Sequence, residues 1–268
     1  MRIFAILIVF SIVFVGLSDF GPKQSLAAEK EFTELRSHHF IIHYEQGVKT
    51  AYATKIKNMA ENFYRTITQD FHLIRDKLWL WDNRAKIFVA KDKESYKEKF
   101  KCSPWASACV NYYDKIIYTF AGQAGFKATL AHELTHIIFH EYVGKGRLPL
   151  WLDEGVATYM GFKHGGVRYN YSILREKLRS GEYIKLADLN KVTGSDLERG
   201  DKDYVNLFYL ESLSLVNFIM RKSGKYRFSN FLDALKKGQS VNDALAKVFI
   251  SYRSLDELEA RWKKFYLG

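Results

Sequence analysis

The stretch ATLAHELTHIIFHEY, Ala128 to Tyr142, decides how the chain is read. Its apolar residues Leu130, Leu134, Ile137, Ile138 and Phe139 surround the pentapeptide His132-Glu133-Leu134-Thr135-His136, an H-E-x-x-H pattern. On a helix, His132 and His136 lie one turn apart and point the same way. Two neutral imidazoles on one face can grip a zinc ion, and the adjacent Glu133 can reach water on that ion. Burying these polar groups in so apolar a helix is costly unless something satisfies them, and a metal does so. The pentapeptide lacks a third ligand.

The next segment offers one. Gly144-Lys145-Gly146 ends the first helix, and Pro149 opens a second, Leu150 to Met160, as proline often does at a first helical position. Folded back antiparallel, this second helix brings an acidic residue of Trp151-Leu152-Asp153-Glu154-Gly155 to the open side of the metal, with Gly155 permitting close helix contact. Glu154 stands 18 positions after His136 (154 − 136). Adjacent helical positions diverge by about 100°, so only one of Asp153 and Glu154 is expected to face the ion. Two histidines and one carboxylate leave the fourth zinc position to water, which is the catalytic pattern. His140, four residues after His136 on the same face, reads as a solvent-facing residue of the last helical turn, with a group supporting the metal ligands as the other reading. His38, His39 and His43 read as structural or surface residues on or near a strand.

Upstream, the order is strand, helix, strand, helix, strand. His39 to Tyr44 has a strand-like core, and Val48 to Leu73 repeats apolar residues at helical spacing. Lys86 to Ala90 is a short strand and Lys93 to Phe100 a charged helix. Ala108 to Phe120 predicts one or two strands around a turn near Asp114. Downstream, helices are predicted over Tyr204 to Lys222, stopping before Gly224, and over Phe228 to Lys237, Val241 to Val248 and Ser254 to Tyr266. Asn242 and Ser254 are the expected N-caps, the latter with Glu257 at the capping-box position. Strands first and helices later indicate an α+β fold: an N-terminal mixed sheet with helices, a helical C-terminal part, and the motif helix between them.

The first 28 residues read as an address. Arg2 is followed by an almost wholly apolar run from Ile3 to Leu17, then by a polar stretch and the small-residue site Ser25-Leu26-Ala27-Ala28. Cleavage as a signal peptide is expected, with an uncleaved N-terminal anchor as the other reading. Both imply export. Residues 29–268 are then one domain, with a sheet-containing lobe over 29–142 and a helical lobe over 143–268. The formal charge of +11 is spread along the chain. It suits attraction to anionic cell-envelope surfaces or acidic substrates. No nucleic-acid module is recognisable. Cys102 and Cys109 do not have zinc-pair spacing, and in an oxidising compartment they are expected to form a disulfide.

HELTH followed by WLDEG resembles the gluzincin branch of the zinc metallopeptidases, which includes thermolysin-like proteases and zinc aminopeptidases. It is especially similar to compact exported peptidase MA-like domains. The resemblance implies a zincin-like fold and Zn2+ as cofactor, with His132, His136 and Glu154 as ligands, Glu133 as general base and a peptide or protein as substrate. WLDEGVA matches the segment that carries the family's glutamate ligand, which leaves Asp153 for hydrogen bonding or plain surface. Tyr209, in Tyr209-Leu210-Glu211-Ser212, matches the tyrosine that stabilises the oxyanion; Tyr159, Tyr204 and His164 are alternatives. The G-x-M-E-N segment that holds a free substrate N-terminus in the aminopeptidases is absent, so an endopeptidase is expected. The metzincin pattern fails, because Phe139 and Tyr142 stand where it needs glycine and histidine. A different class of function uses the same residues: a catalytically silent zinc-bearing binding or assembly module of the cell envelope. The intact Glu133 favours the enzyme.

Overall fold

In the computed structural model, residues 31–74, 78–100, 102, 108–144, 148–166 and 170–268 are described; the leader expected over 1–28 lies outside them. Five strands form one mixed sheet in the order β1-β2-β3-β5-β4. They are β1 (Phe32–Arg36), β2 (Phe40–Glu45), β3 (Ala85–Ala90), β4 (Cys109–Asn111) and β5 (Ile116–Phe120). β2, β3 and β5 run parallel, while β1 and β4 pair antiparallel at the two edges. The parallel strands are rich in buried apolar side chains, as strands covered on both faces are. Helix α1 (Thr50–Asp70) connects β2 to β3, and α2 (Lys93–Lys99) follows β3, started by Asp92, whose side chain accepts from the Ser95 N–H. Sequence reasoning missed β1. Its FTELR segment buries no residue fully and carries no clean alternation of apolar positions.

The chain then becomes helical. Helices α3 (Phe126–Val143) and α4 (Leu150–Gly165) are followed by three short helices, α5 (Ser172–Ser180), α6 (Leu186–Leu189) and α7 (Gly194–Arg199). Long α8 (Lys202–Lys236) and then α9 (Val241–Val248) and α10 (Leu255–Leu267) complete the chain. This is the expected α+β arrangement. Two local expectations change. Pro149 caps α4 from an extended conformation instead of opening it. Ser240, not Asn242, caps α9, and the Asn242 side chain instead accepts from the Leu255 N–H at 2.9 Å. The expected break at Gly224 is present: its φ +73° and ψ 171° are not helical, and two helices meet there across a kink within Lys202–Lys236. Among the described residues, no helix is long and apolar enough to cross a membrane. Cys102 and Cys109 are disulfide-bonded.

One continuous buried cluster joins the sheet, through Phe40, Ile42, Ile87 and Val89, to the helices, through Phe139, Trp151, Phe208 and Trp262. Within it, α4 is gripped from two sides. A Cβ on Gly161 would meet the Ala128 carbonyl oxygen of α3 at 3.3 Å, and a Cβ on Gly155 would meet the Ser212 carbonyl oxygen of α8 at 2.6 Å and Val216 at 2.8 Å. Only a residue without a side chain lets α4 and α8 approach so closely.

Glu211 on α8 is fully buried. Its carboxylate accepts from the Ile184 N–H at 2.9 Å, and its other oxygen is buried without a hydrogen-bond partner among the described residues. Burial pushes this carboxyl up to about 8, with the Ile184 N–H opposing and Glu259 adding. The folded protein therefore keeps a proton that the unfolded chain releases near 4.5. The stability this group contributes is complete below that value and is lost as pH rises towards 8. Glu211→Gln retains the acceptor for Ile184 and is expected to flatten the decline in stability over that window, read from thermal melts at several pH values. Gly155→Ala is expected to cost about 1–3 kcal/mol of stability through overpacking, read by urea unfolding.

Candidate active site

The facing surfaces of α3 and α4 carry the site. Contacts pair 140 and 136 with 153, 132 with 157, and 128 with 161, so the two helices run antiparallel. His132, Glu133 and His136 are buried on α3, and Asp153 and Glu154 are buried on α4. His132 Nε2 and His136 Nε2 are 3.1 Å apart, and Glu154 Oε2 lies 3.6 and 3.8 Å from them.

Asp153 takes the hydrogen-bonding role left to it by the sequence, while His140 departs from the solvent-facing reading. Asp153 Oδ1 is 3.0 Å from His136 Nδ1, and its Oδ2 is 2.8 Å from His140 Nε2. Both acidic residues of α4 therefore meet the histidines, because the two nitrogens of the His136 ring face different directions. Glu154 serves the Nε2 side and Asp153 the Nδ1 side. His140 is a member of this network and not a solvent-facing end residue. Tyr112, in the turn between β4 and β5, stacks on the His140 ring at 4.5 Å and 8°, and meets His136 edge-on at 5.7 Å. Trp79 Nε1 donates to Glu141 at 2.7 Å, and Lys115 Nζ lies 3.6 Å from the same carboxylate, which ties that turn to the end of α3.

Two groups of residues could hold a metal ion, His132-His136-Glu154 and His136-His140-Asp153. Their hydrogen bonding separates them. Both oxygens of Asp153 are occupied by imidazoles. Glu154 Oε2, by contrast, is buried without a hydrogen-bond partner among the described residues and faces both Nε2 atoms. In the neutral ring, with the Nδ1 proton donated to Asp153, the His136 Nε2 carries a lone pair. The His132 ring lies beside the Ala157 backbone. Zinc bonds of about 2.0–2.2 Å at tetrahedral angles place neighbouring donors roughly 3.3–3.6 Å apart. The first triad is close to that spacing, and its two imidazoles and one carboxylate are a donor set zinc accepts.

Electrostatics distinguishes the carboxylates. Burial pushes Glu133 up to about 7, with Asp153 adding and His136 opposing, which suits a base working near neutrality. Burial raises Glu154 to about 8 against the pull of His136. Burial also acts to raise Asp153, but His136 and His140 hold it well below the usual carboxylate range. Burial pushes His132 well down. Tyr209, on α8, is buried and hydrogen-bonded to Glu154, and burial raises its phenol strongly.

The segment that holds these groups also identifies the chain. A family model described as the Peptidase MA superfamily matches residues 106–268. The chain belongs to the peptidase MA superfamily. The match spans the motif helix, the Glu154 helix and the Tyr209 helix, and gives the protein a peptidase-like domain. No curated protein matches the chain. In this superfamily member the other histidines and tyrosines weighed from sequence lie apart from the triad. His39 pairs with Glu61 at 2.7 Å, and His43 stacks on Phe88. His38 meets the His39 ring edge-on. His164 lies 3.2 Å from the Thr66 hydroxyl, and Tyr159 packs against Phe71. Tyr204 lies against Gly200 at the start of α8. Tyr112 went unnoticed in the sequence, where a tyrosine in a β-rich segment gives no signal beyond strand propensity.

Asp153→Asn can no longer accept from both imidazoles. It is expected to lower zinc affinity roughly 10- to 100-fold, read by chelator competition.

Proposed function

We propose that this protein is an exported zinc-dependent peptidase of the gluzincin type that cleaves within peptide chains. The observation that carries the reading is the buried triad of His132, His136 and Glu154 with Glu133 beside it, its Oε2 buried and without a hydrogen-bond partner among the described residues. Export is supported by the apolar run and small-residue site over 3–28, and an anionic envelope surface as a partner by the charge of +11.

The triad would hold the ion. When bound, zinc supplies Lewis acidity that polarises a scissile carbonyl and acidifies water. Glu133 is not a ligand. It takes the proton of the attacking water and hands it to the leaving amine, for which a carboxyl near 7 is well poised. Asp153 keeps His136 in one tautomer by accepting its Nδ1 proton. Tyr209 donates a hydrogen bond to the developing oxyanion, a role that requires its hydroxyl to turn from Glu154 to the substrate. Among the described residues β4 is an edge strand, and its outer side can pair with an extended substrate backbone. The absence of a G-x-M-E-N segment supports cleavage inside a chain over removal of its first residue.

The test is zinc content and peptide-library cleavage for the wild type, Glu133→Gln and Glu154→Ala. Glu133→Gln is expected to keep its zinc and lose about 10²–10⁴ in kcat, and Glu154→Ala to lose zinc. Full cleavage by Glu133→Gln would sink the mechanism. Zinc bound by a wild type that cleaves nothing would favour the binding-module reading.

A further inference from the structure

Tyr112 belongs to the site by position, and the chemistry proposed above leaves it unused. It follows Asn111, the last residue of edge strand β4, and begins the turn into β5. Its ring lies flat on His140 and edge-on to His136, and Asp153 holds both of those imidazoles. The tyrosine therefore rides on the same carboxylate that orients a ligand of the triad. Its ring centroid stands 5.7 Å from that of His136, a member of the triad, and the hydroxyl is within electrostatic reach of Asp153, Glu133, Glu154 and the Tyr209 phenol. Among the described residues no group hydrogen-bonds that hydroxyl, whereas the Tyr209 hydroxyl is engaged with Glu154. Tyr112 is half-buried, and its hydroxyl is not sealed away from solvent. It is free to bond a ligand that enters the site.

We propose that Tyr112 is a second catalytic tyrosine, whose hydroxyl donates a hydrogen bond to the scissile carbonyl oxygen from the sheet-edge side of the site while Tyr209 acts from the helical side. The inference rests on the peptidase reading above. A substrate strand paired along β4 would bring its backbone past Tyr112, so the residue that ends the docking edge would also hold the reacting carbonyl.

The test uses the full chain, as wild type, Tyr112→Phe and Tyr209→Phe. The measurements are zinc content, melting temperature, kcat and KM on the best library peptide, and the Kd of a phosphinic analogue of that peptide, which mimics the tetrahedral state. Phenylalanine preserves the stack on His140, so zinc content and melting temperature are expected to match the wild type. Both kcat and phosphinate affinity are expected to fall about 10²-fold with KM nearly constant, as for loss of an oxyanion donor. Wild-type kcat and phosphinate affinity in Tyr112→Phe would overturn the inference alone. Loss of zinc from Tyr112→Phe would also overturn it, by making the residue a support for His140. A wild type that holds zinc but neither cleaves nor binds the phosphinate overturns the peptidase reading and this inference with it, and is recognised without any variant.

Discussion

Everything at the site depends on how closely α4 can approach the helices on either side. Gly161 lets it touch the backbone of α3, and Gly155 lets it touch the backbone of α8. Side chains one and two positions before Gly155 then meet their partners: Asp153 and Glu154 reach His136, and Glu154 reaches Tyr209. A spread of one ångström along this seam would separate the donors by more than a ligand bond tolerates. The packing of three helices and the spacing of a metal triad are thus one constraint.

That seam concentrates charge where charge is expensive. Glu133, Asp153 and Glu154 are all buried, beside two buried histidines. Carboxylates removed from water tend to keep their protons. The fold distributes the cost unevenly. Asp153 receives both imidazoles and stays ionised, while Glu133 and Glu154 have nothing comparable and are pushed up. A divalent cation at the triad would relieve the same imbalance, which is why the donor set and the raised carboxyls support one reading.

Much of this was legible in the sequence because the chemistry lies on helices whose apolar runs are unmistakable. The run around His132 marks a buried helix, and two glycines and a proline mark the turn back. What escaped has physical reasons. Rotation about the helix axis left Asp153 for hydrogen bonding and Glu154 for the ion, but the sequence does not show that Asp153 meets two imidazoles at once. His140 looked like an end residue because nothing in its neighbourhood announces a carboxylate arriving from the next helix. Tyr112 was hidden because stacking on a histidine from another element leaves no periodic trace. The short helices between Ser172 and Arg199 bury few residues each, and β1 buries none fully, so neither imposes a pattern.

The helical hairpin of α3 and α4 has a kinetic side as well. His132, Glu133, His136, Asp153 and Glu154 all fall within residues 132–154, and the span between the last histidine and Glu154 is 18 positions (154 − 136). Bringing the ends of so short a segment together costs on the order of 2–3 kcal/mol of chain entropy. The sheet, by contrast, must pair β2 with β3 across the length of α1. Five polar groups of the site are therefore neighbours in the chain before they are neighbours in the fold. Their assembly is a local event, Tyr112 stands only 20 positions before His132 (132 − 112), and Tyr209, 55 positions after Glu154 (209 − 154), joins them only when α8 packs on the hairpin.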